Sequence, residues 1–172
     1  MPNSIPKRYE TAQYQEVPDN IKKLFEAIPE TRRGMYIHGG VGTGKTHVAF
    51  ALYKEAQEKK IACLLWNTTE MFREFRLDIR RLPNEARGVE EALIKDRGLV
   101  IFDDIGAEKL TDWVAETFYL IINKRYEEML PTIFTSNLTI PELADKIGDR
   151  TVSRIVEMCE IVKLDGKDRR LT

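Results

Sequence analysis

The chain of 172 residues is long enough for one globular domain with a buried core. Apolar residues make up 42% of it and charged residues 32%, which excludes an intrinsically disordered chain. The net charge of -1, from 27 basic and 28 acidic residues, excludes a uniformly basic surface, so any contact with nucleic acid must come from a local patch.

The sequence carries neither a recognisable secretory signal nor an apolar run of the roughly 18 residues that a membrane span requires. We therefore expect a cytoplasmic protein that does not contact a membrane. Cys63 and Cys159 lie far apart in apolar surroundings. This predicts two buried, reduced thiols rather than a disulfide or a metal site.

Residues 1–19, rich in proline and polar groups, are predicted to be an arm or linker before a domain at 20–172. Hydrophobic periodicity indicates helices in this domain, and short apolar runs indicate buried strands. Strands joined by helical crossovers predict a three-layer α/β domain with a five-stranded parallel sheet flanked by helices. The helices are expected at 20–28, 45–59, 70–82, 112–129, 139–147 and 149–158, and the strands at 34–39, 61–67, 98–105, 131–137 and 160–166.

The stretch "GGVGTGKT" at 39–46 matches the pattern G-x-x-x-x-G-K-[ST] between a predicted strand and a predicted helix. Its glycines let backbone N–H groups converge on a triphosphate, and the helix N-terminus adds its own donors. This context disfavours an incidental Gly-rich turn. We expect Lys45 to reach the β- and γ-phosphates and Thr46 to ligate Mg²⁺. The predicted ATP/ADP site consists of Gly39, Gly40, Val41, Gly42, Thr43, Gly44, Lys45, Thr46 and His47, with no catalytic role for either His38 or His47.

An acidic pair follows the apolar run "LVIF", so it is expected at the carboxyl edge of the sheet, beside the phosphate loop. There Asp103 can hold Mg²⁺, and Asp104 can orient or deprotonate the attacking water. Asp104 is one methylene shorter than glutamate, so either the water lies closer or Glu108 assists. The alternative is a strand end with two solvated carboxylates.

The next strand ends in the polar residues Thr135, Ser136 and Asn137. Side chains at that edge can bond both a γ-phosphate and the attacking water. Strand ends often carry serine and asparagine simply because turns favour them. The interpretation therefore depends on the order and spacing of this segment after the acidic pair.

Arg150 and Arg154 are four residues apart and so share one helix face. A solvated basic face explains this spacing. An arginine finger, which stabilises charge on a neighbouring subunit's γ-phosphoryl group, explains it equally well. Arg169 and Arg170 follow the last strand and are expected near the same edge of the sheet.

The segments "GGVGTGKTH", "FDDIGAEKLTDWV", "FTSNL", "IGDRTVSRI" and "GKDRR" resemble, in order and spacing, the DnaC/DnaI helicase loaders and the related IstB transposition helpers. These families are AAA+ ATPases. The resemblance extends from residue 5 to Arg170. It implies a P-loop NTPase fold of AAA+ type without a separate lid domain.

The resemblance also implies roles for individual residues. Lys45 with Thr46 is similar to the Walker A pair, and Asp103 with Asp104 is similar to the Walker B pair. Asn137 is similar to the sensor 1 residue, and Arg170 is similar to the sensor 2 arginine. Arg154 is similar to the arginine finger, with Arg150 as its companion.

The implied partners are single-stranded DNA, a replicative helicase and other copies of the chain, assembled head to tail through the arginine finger. The loaders grip the helicase with a separate N-terminal domain, which is not seen in this chain. Arg73, Arg76, Arg80 and Arg81, with nearby aromatics, could contact DNA. A solvated helix face with Phe72 and Phe75 in the core is the alternative.

Four functions are compatible with these patterns. A helicase loader is favoured, and a transposition helper is the main alternative. A P-loop kinase for a small substrate would need an acceptor pocket and usually a lid insertion, which the sequence does not suggest. A non-hydrolysing binding module is disfavoured because Lys45, Thr46, Asp103 and Asp104 are all intact.

Overall fold

The computed structural model describes residues 5–81, 93, 97–108 and 111–166, with the side chains of 78–81 outside the described part. Within these ranges the predicted order of helices and strands is confirmed, and we number the elements in chain order. The strands are β1 (Gly34–His38), β2 (Cys63–Asn67), β3 (Leu99–Asp103), β4 (Thr132–Ser136) and β5 (Cys159–Lys163). The α-helices are α1 (Asp19–Thr31), α2 (Lys45–Glu58), α3 (Thr68–Arg81), α4 (Asp112–Glu127), α5 (Ile140–Ile147) and α6 (Asp149–Met158).

The five strands form one parallel sheet in the order β2-β3-β4-β1-β5. The central strand β1 pairs with β4 and β5, so that Tyr36 lies opposite Phe134 on one side and Ile161 on the other. Because all strands run the same way, the residues that follow β1, β3 and β4 meet at one edge. The predicted phosphate loop and the predicted acidic pair therefore share this edge.

Helices cover both faces of the sheet. Met35 and Ile37 of β1 belong to a hydrophobic cluster with α1 and α2, whereas Tyr36 belongs to a second cluster with α3, α4, α5 and α6. This alternation follows from the period of two in a strand. The predicted three-layer α/β domain with a five-stranded parallel sheet is confirmed.

The two helices after β4 begin where the sequence places them. The backbone N–H of Thr139 donates to the Glu142 carboxylate at 2.7 Å, as a capping box requires, and α5 starts at the next residue. Gly148 then takes a φ of 90° between α5 and α6. Glycine adopts this left-handed conformation without strain, and the chain turns here between the two helices. Helix α6 then occupies 149–158, as predicted.

The described part of the N-terminal segment packs on α2. The Tyr9 ring stacks on that of Phe50 with a centroid distance of 4.6 Å. Lys54 Nζ donates to the backbone oxygen of Ala12 at 2.7 Å, and Ala12 is fully buried. These contacts favour an arm over a linker for residues 5–18, and the division of the chain at residue 19 stays a prediction.

Both cysteines are buried, as the sequence predicts, and within the described residues they form no disulfide. Cys63 begins β2 and Cys159 begins β5, at opposite ends of the strand order, so the two side chains lie far apart. Among the helices in the described ranges, none combines the length and the apolar composition that crossing a bilayer demands.

Candidate nucleotide site

The phosphate loop connects β1 to α2 and depends on glycine for its shape. Gly42 and Gly44 take φ angles of 80° and 96°, in the left-handed region that residues with a Cβ rarely enter. The backbone N–H of Val48 donates to the Gly44 oxygen at 2.9 Å, which closes the first turn of α2. The helix N-terminus, with its unpaired donors and positive dipole end, therefore follows the loop directly.

Gly39 allows the start of the loop to lie against the end of β5. A Cβ at this position would be 2.3 Å from the backbone oxygen of Leu164, which is far inside a van der Waals contact. The Leu164 N–H in turn donates to the His38 oxygen at 2.7 Å. Any larger residue at position 39 would push the loop away from the sheet that supports it.

Lys45 is nearly buried, with 6% of its surface exposed, although it carries a charge. Its Nζ donates to the backbone oxygens of Gly39 and Gly40 at 2.8 and 2.7 Å. The ammonium group thus lies within the loop, against the backbone of its first two glycines. This is the position from which a lysine can bind phosphate oxygens.

The loop forms one wall of a cleft that also includes Thr46 and His47. The facing wall comes from the ends of β3 and β4, with Asp104, Thr135 and Asn137. The sequence-predicted nucleotide loop and the predicted polar strand ends therefore line one cleft. The His47 side chain turns towards the arm, where Nε2 lies 2.9 Å from Glu16 Oε2.

Asp103 ends β3 with a carboxylate that is 3% exposed. Burial raises the pKa of this carboxyl group, while hydrogen bonds from Thr135 and Thr46 and the nearby Lys45 ammonium act in the opposite direction. The Thr135 hydroxyl donates to Asp103 Oδ1 at 2.6 Å. Asp103 and Thr46 thus offer a carboxylate and a hydroxyl oxygen side by side, which are ligands that suit Mg²⁺.

Asp104 has a strained backbone, with a φ of 61°. Aspartate tolerates this left-handed conformation better than most residues. Its N–H donates to the Thr135 hydroxyl at 2.9 Å, and its Oδ1 accepts a hydrogen bond from Asn137 Nδ2 at 3.1 Å. These contacts turn the half-buried carboxylate into the cleft and away from the line of the strand.

Glu108, which could have assisted Asp104 in orienting water, instead points back to the loop that contains it. Its two carboxylate oxygens accept from the Gly106 N–H at 3.3 and 3.1 Å. Burial raises the pKa of Glu108, which is 5% exposed, against the lowering effect of the Lys146 ammonium. Lys146 itself donates to the Gly106 oxygen. Glu108 thus holds the turn after Asp104 in place.

The two arginines of α6 differ in their surroundings. Arg150 is exposed, whereas Arg154 is half-buried and lies against α4, where Nε donates to Asn123 Oδ1. Neither arginine lines the cleft of its own chain. Arg169 and Arg170 lie outside the described residues, so the proposed role of Arg170 stays a prediction.

Two further cleft residues come from the arm and were missed by sequence reasoning. Arg8 and Tyr9 line the cleft beside the loop. The sequence signal for them is an arginine next to a tyrosine in an otherwise polar, proline-containing segment, a pair that could bind a nucleotide. The central position of Thr135, bonded to both aspartates, was also missed because it depends on the register of β3 against β4.

On α3, the structure describes the side chains of two of the four arginines that were expected to contact DNA, and the contact itself stays a prediction. Arg73 and Arg76 are exposed, and the Arg76 guanidinium lies over the Trp113 ring at 5.5 Å. Phe72 and Phe75 are in the core, as the alternative predicts. The side chains of Arg80 and Arg81 lie outside the described part.

Comparisons with known proteins agree with this geometry. The profile of the family described as IstB-like ATP binding protein matches residues 14–172. The chain belongs to this family. Its fold is accordingly that of the ATP-binding P-loop domains of the AAA+ class, and the resemblance stated from the sequence is confirmed.

This IstB-like chain is 29% identical to the replicative helicase loader DnaI of Bacillus subtilis (strain 168), over 92% of the chain and 54% of that protein. It thus spans about half the length of this relative. A crystal structure of the DnaC helicase loader has a TM-score of 0.78 and 26% identity, covering 93% of this chain and all of that one. A crystal structure of DnaI gives 0.80 at 23% identity, covering 94% and 95%, and shows the shared fold.

Proposed function

We propose that this chain is the ATP-hydrolysing AAA+ domain of a DnaC/DnaI-like helicase loader that acts with single-stranded DNA in DNA replication. One observation carries the ATPase assignment: the Thr135 hydroxyl bonds both Asp103 and the Asp104 N–H, in the cleft that contains the phosphate loop. A chain that only bound nucleotide would have no need to hold two adjacent aspartates in place at this point.

The residues divide the work of hydrolysis as follows. Lys45 binds the β- and γ-phosphates, with the loop N–H groups and the α2 N-terminus around them. Thr46 and Asp103 would hold Mg²⁺. The bound ion supplies positive charge that offsets the negative charge developing on the phosphoryl oxygens. Asp104 accepts a proton from the attacking water or orients it, and Asn137 keeps the Asp104 carboxylate turned towards the cleft.

The arginine finger is proposed to act in trans. Arg154 lies on α6, outside the cleft of its own chain, so it can serve a γ-phosphate held by the next subunit. Such a contact is heterologous and gives a ring or an open spiral. An arginine finger is worth roughly 10³–10⁵ in rate where it has been dissected in other NTPases.

Subunit mixing tests this arrangement. Lys45→Ala lacks a working site but keeps its finger, and Arg154→Ala keeps its site but lacks the finger. Each variant alone should be inactive, and their mixture should release phosphate at the interfaces where a good finger meets a good site. If Arg154→Ala alone turns over ATP at the parent rate under assembling conditions, the finger is elsewhere, with Arg150 as the next candidate.

Single-stranded DNA is proposed to bind on the α3 face through Arg73, Arg76 and the neighbouring Trp113. Guanidinium groups beside an aromatic ring suit a sugar-phosphate backbone with unstacked bases. Fluorescence anisotropy with a labelled oligonucleotide, an ATP analogue and low salt tests this. The double variant Arg73→Ala/Arg76→Ala should bind weakly, with a reduced salt dependence, whereas the matched double variant Lys23→Ala/Lys59→Ala should bind normally. Absence of binding by the parent chain removes DNA from the proposal.

The family match favours a second candidate, an ATPase that assists transposition, since the matched profile is named after IstB. The two candidates share the ATPase site and differ in their protein partner. Affinity purification with the parent chain and with Lys45→Ala, against a hexameric helicase and against a transposase, separates them. If the parent chain retains the transposase in a nucleotide-dependent way and does not retain the helicase, the transposition role replaces the loader role.

A further inference from the structure

Arg154 is held by a set of α4 side chains that the proposed hydrolysis does not otherwise use. The guanidinium carbon lies 5.0 Å from the centroid of the Tyr119 ring and 5.7 Å from that of Tyr126. Nε donates to Asn123 Oδ1, and Nη1 donates to the backbone oxygen of Arg150 at 3.0 Å. Two rings, one amide and one carbonyl therefore fix a side chain that would otherwise be free to rotate.

The Asn123 amide is itself oriented by a neighbour. Its Nδ2 donates to Glu127 Oε1 at 2.8 Å, one helical turn later on α4. Because the amino group is engaged there, the amide oxygen is the atom that faces Arg154. Glu127, Asn123 and Arg154 thus form a chain of hydrogen bonds that runs from α4 to α6.

These contacts take one side of the guanidinium group and leave the other side available. Nε and Nη1 are used, and within the described part of the chain no group accepts a hydrogen bond from Nη2. An arginine finger contacts phosphoryl oxygens with its terminal nitrogens. The contacts with α4 and Arg150 therefore use Nε and Nη1 and leave Nη2 for a phosphoryl oxygen.

We propose that Asn123, together with Tyr119 and Tyr126, positions Arg154 for the active site of the neighbouring subunit; this rests on the proposed function, in which Arg154 acts in trans. Holding the guanidinium in advance removes most of the conformational entropy that a flexible arginine would lose on reaching the transition state. Asn123 is a positioning residue in this scheme and contacts neither nucleotide nor water.

The test uses the subunit-mixing assay, because it separates the subunit that gives the finger from the one that holds the nucleotide. Adding Asn123→Ala to the Lys45→Ala subunit should lower the mixed phosphate-release rate by about tenfold or more, since small misplacements of catalytic groups have effects of this size. Adding it to the Arg154→Ala subunit, which supplies only the site, should lower the rate much less. A merely structural role for Asn123 would lower both mixtures equally.

Two further variants control the donor subunit. The double variant Asn123→Asp/Glu127→Gln keeps an oxygen acceptor for Arg154 Nε without placing two carboxylates side by side, and should restore most of the rate that Asn123→Ala loses. Lys124→Ala removes a neighbouring i,i+4 pair with Glu128 on the same helix, without a contact to Arg154, and should leave the mixed rate unchanged. Thermal melting of each variant confirms that the subunits are folded.

The outcomes are distinct. If the Lys45→Ala and Arg154→Ala pair shows no hydrolysis, the trans finger fails and the positioning role falls with it. If that pair is active and Asn123→Ala has no effect on the donor side, only the positioning role is overturned. A faster mixture with Asn123→Ala in the donor would also overturn it, because the α4 contacts would then restrain the finger.

Discussion

The Thr135 hydroxyl lies 2.6 Å from Asp103 Oδ1, to which it donates a hydrogen bond. The Thr135 hydroxyl oxygen also accepts a hydrogen bond from the Asp104 N–H at 2.9 Å. One side chain of β4 therefore bonds the carboxylate of Asp103, the last residue of β3, and the backbone N–H of Asp104, the residue after it. This relationship links the strand register to the chemistry of the cleft.

Replacing Thr135 by valine should impair both stability and hydrolysis. The change keeps the shape but removes the hydrogen bond that the Asp103 carboxylate accepts from Thr135 and the acceptor of the Asp104 N–H, at a cost of about 1–3 kcal/mol in the free energy of unfolding. Thr135→Ser keeps the hydroxyl and is the matched control. Denaturant unfolding and phosphate release measure the two effects. Parent kcat in Thr135→Val would show that the hydroxyl has no role in the site.

Lys45→Ala should weaken nucleotide binding. Removing a charge that faces the phosphates should cost more than an ordinary hydrogen bond, and hence more than about tenfold in affinity. Titration calorimetry with ATP and Mg²⁺ measures this, with Lys59→Ala at the far end of α2 as the control. Unchanged affinity in Lys45→Ala would contradict the assignment of the phosphate loop.

Asp104→Asn should affect hydrolysis more than binding. Asparagine tolerates the left-handed backbone at this position and still accepts from Asn137, but it cannot take a proton. We expect kcat to fall by about 10²-fold or more, with nucleotide affinity nearly unchanged. Glu108→Gln provides the comparison, since Glu108 contacts its own loop. If only the Glu108 variant loses activity, the roles of these two residues are reversed.

Asp103→Asn should stabilise the nucleotide-free protein at neutral pH while it weakens Mg²⁺-dependent binding. The pKa of Asp103 is raised in the folded state, chiefly by burial, so its charged form costs stability above that pKa. The cost disappears as the pH falls through the folded pKa towards the unfolded one. The gain in melting temperature should therefore be present at neutral pH and fade in acid. A gain that does not change with pH would show that the Asp103 carboxyl is not the cause.

Tyr9→Ala should reduce the affinity for ATP without a matching effect on pyrophosphate. Tyr9 lines the cleft from the arm and stacks on Phe50. We expect this aromatic ring to contact the base or sugar rather than the phosphates. Loss of an aromatic contact of about 0.5–1.5 kcal/mol corresponds to an affinity change of about two- to tenfold. Competition binding with ATP and pyrophosphate checks this. Equal losses for both ligands would indicate a disturbed loop instead.

The sequence was sufficient for the fold and for placing a glycine-rich loop between β1 and α2, since both depend on local patterns. The binding roles of the loop residues stay predictions. The predicted strands were longer than the observed ones where a turn begins before the apolar sequence ends. The run at 98–105 illustrates this, because Asp104 leaves the strand in a left-handed conformation. An arm was one of the two predictions for residues 1–19, but its packing against α2 was not predicted, because the buried Ala12 belongs to no periodic apolar pattern.

Contacts between elements were the least predictable feature. Spacing alone placed Arg150 and Arg154 on one helix face, but it gave no reason to expect that Asn123 would hold only the second. That distinction depends on how α6 packs against α4. Likewise, the bond between Thr135 and two aspartates requires the alignment of two strands that are separated in the chain.

The position of β1 has a consequence for how the protein is made. β1 and its phosphate loop are synthesised before both sheet neighbours of β1, which are β4 and β5. Until these are synthesised, a glycine-rich loop is attached to a strand with two open edges. Such long-range pairing slows folding and exposes the nascent chain to misassembly. Nucleotide in the cell should therefore bind only after translation has passed β5, and chaperone demand should be highest just before that point.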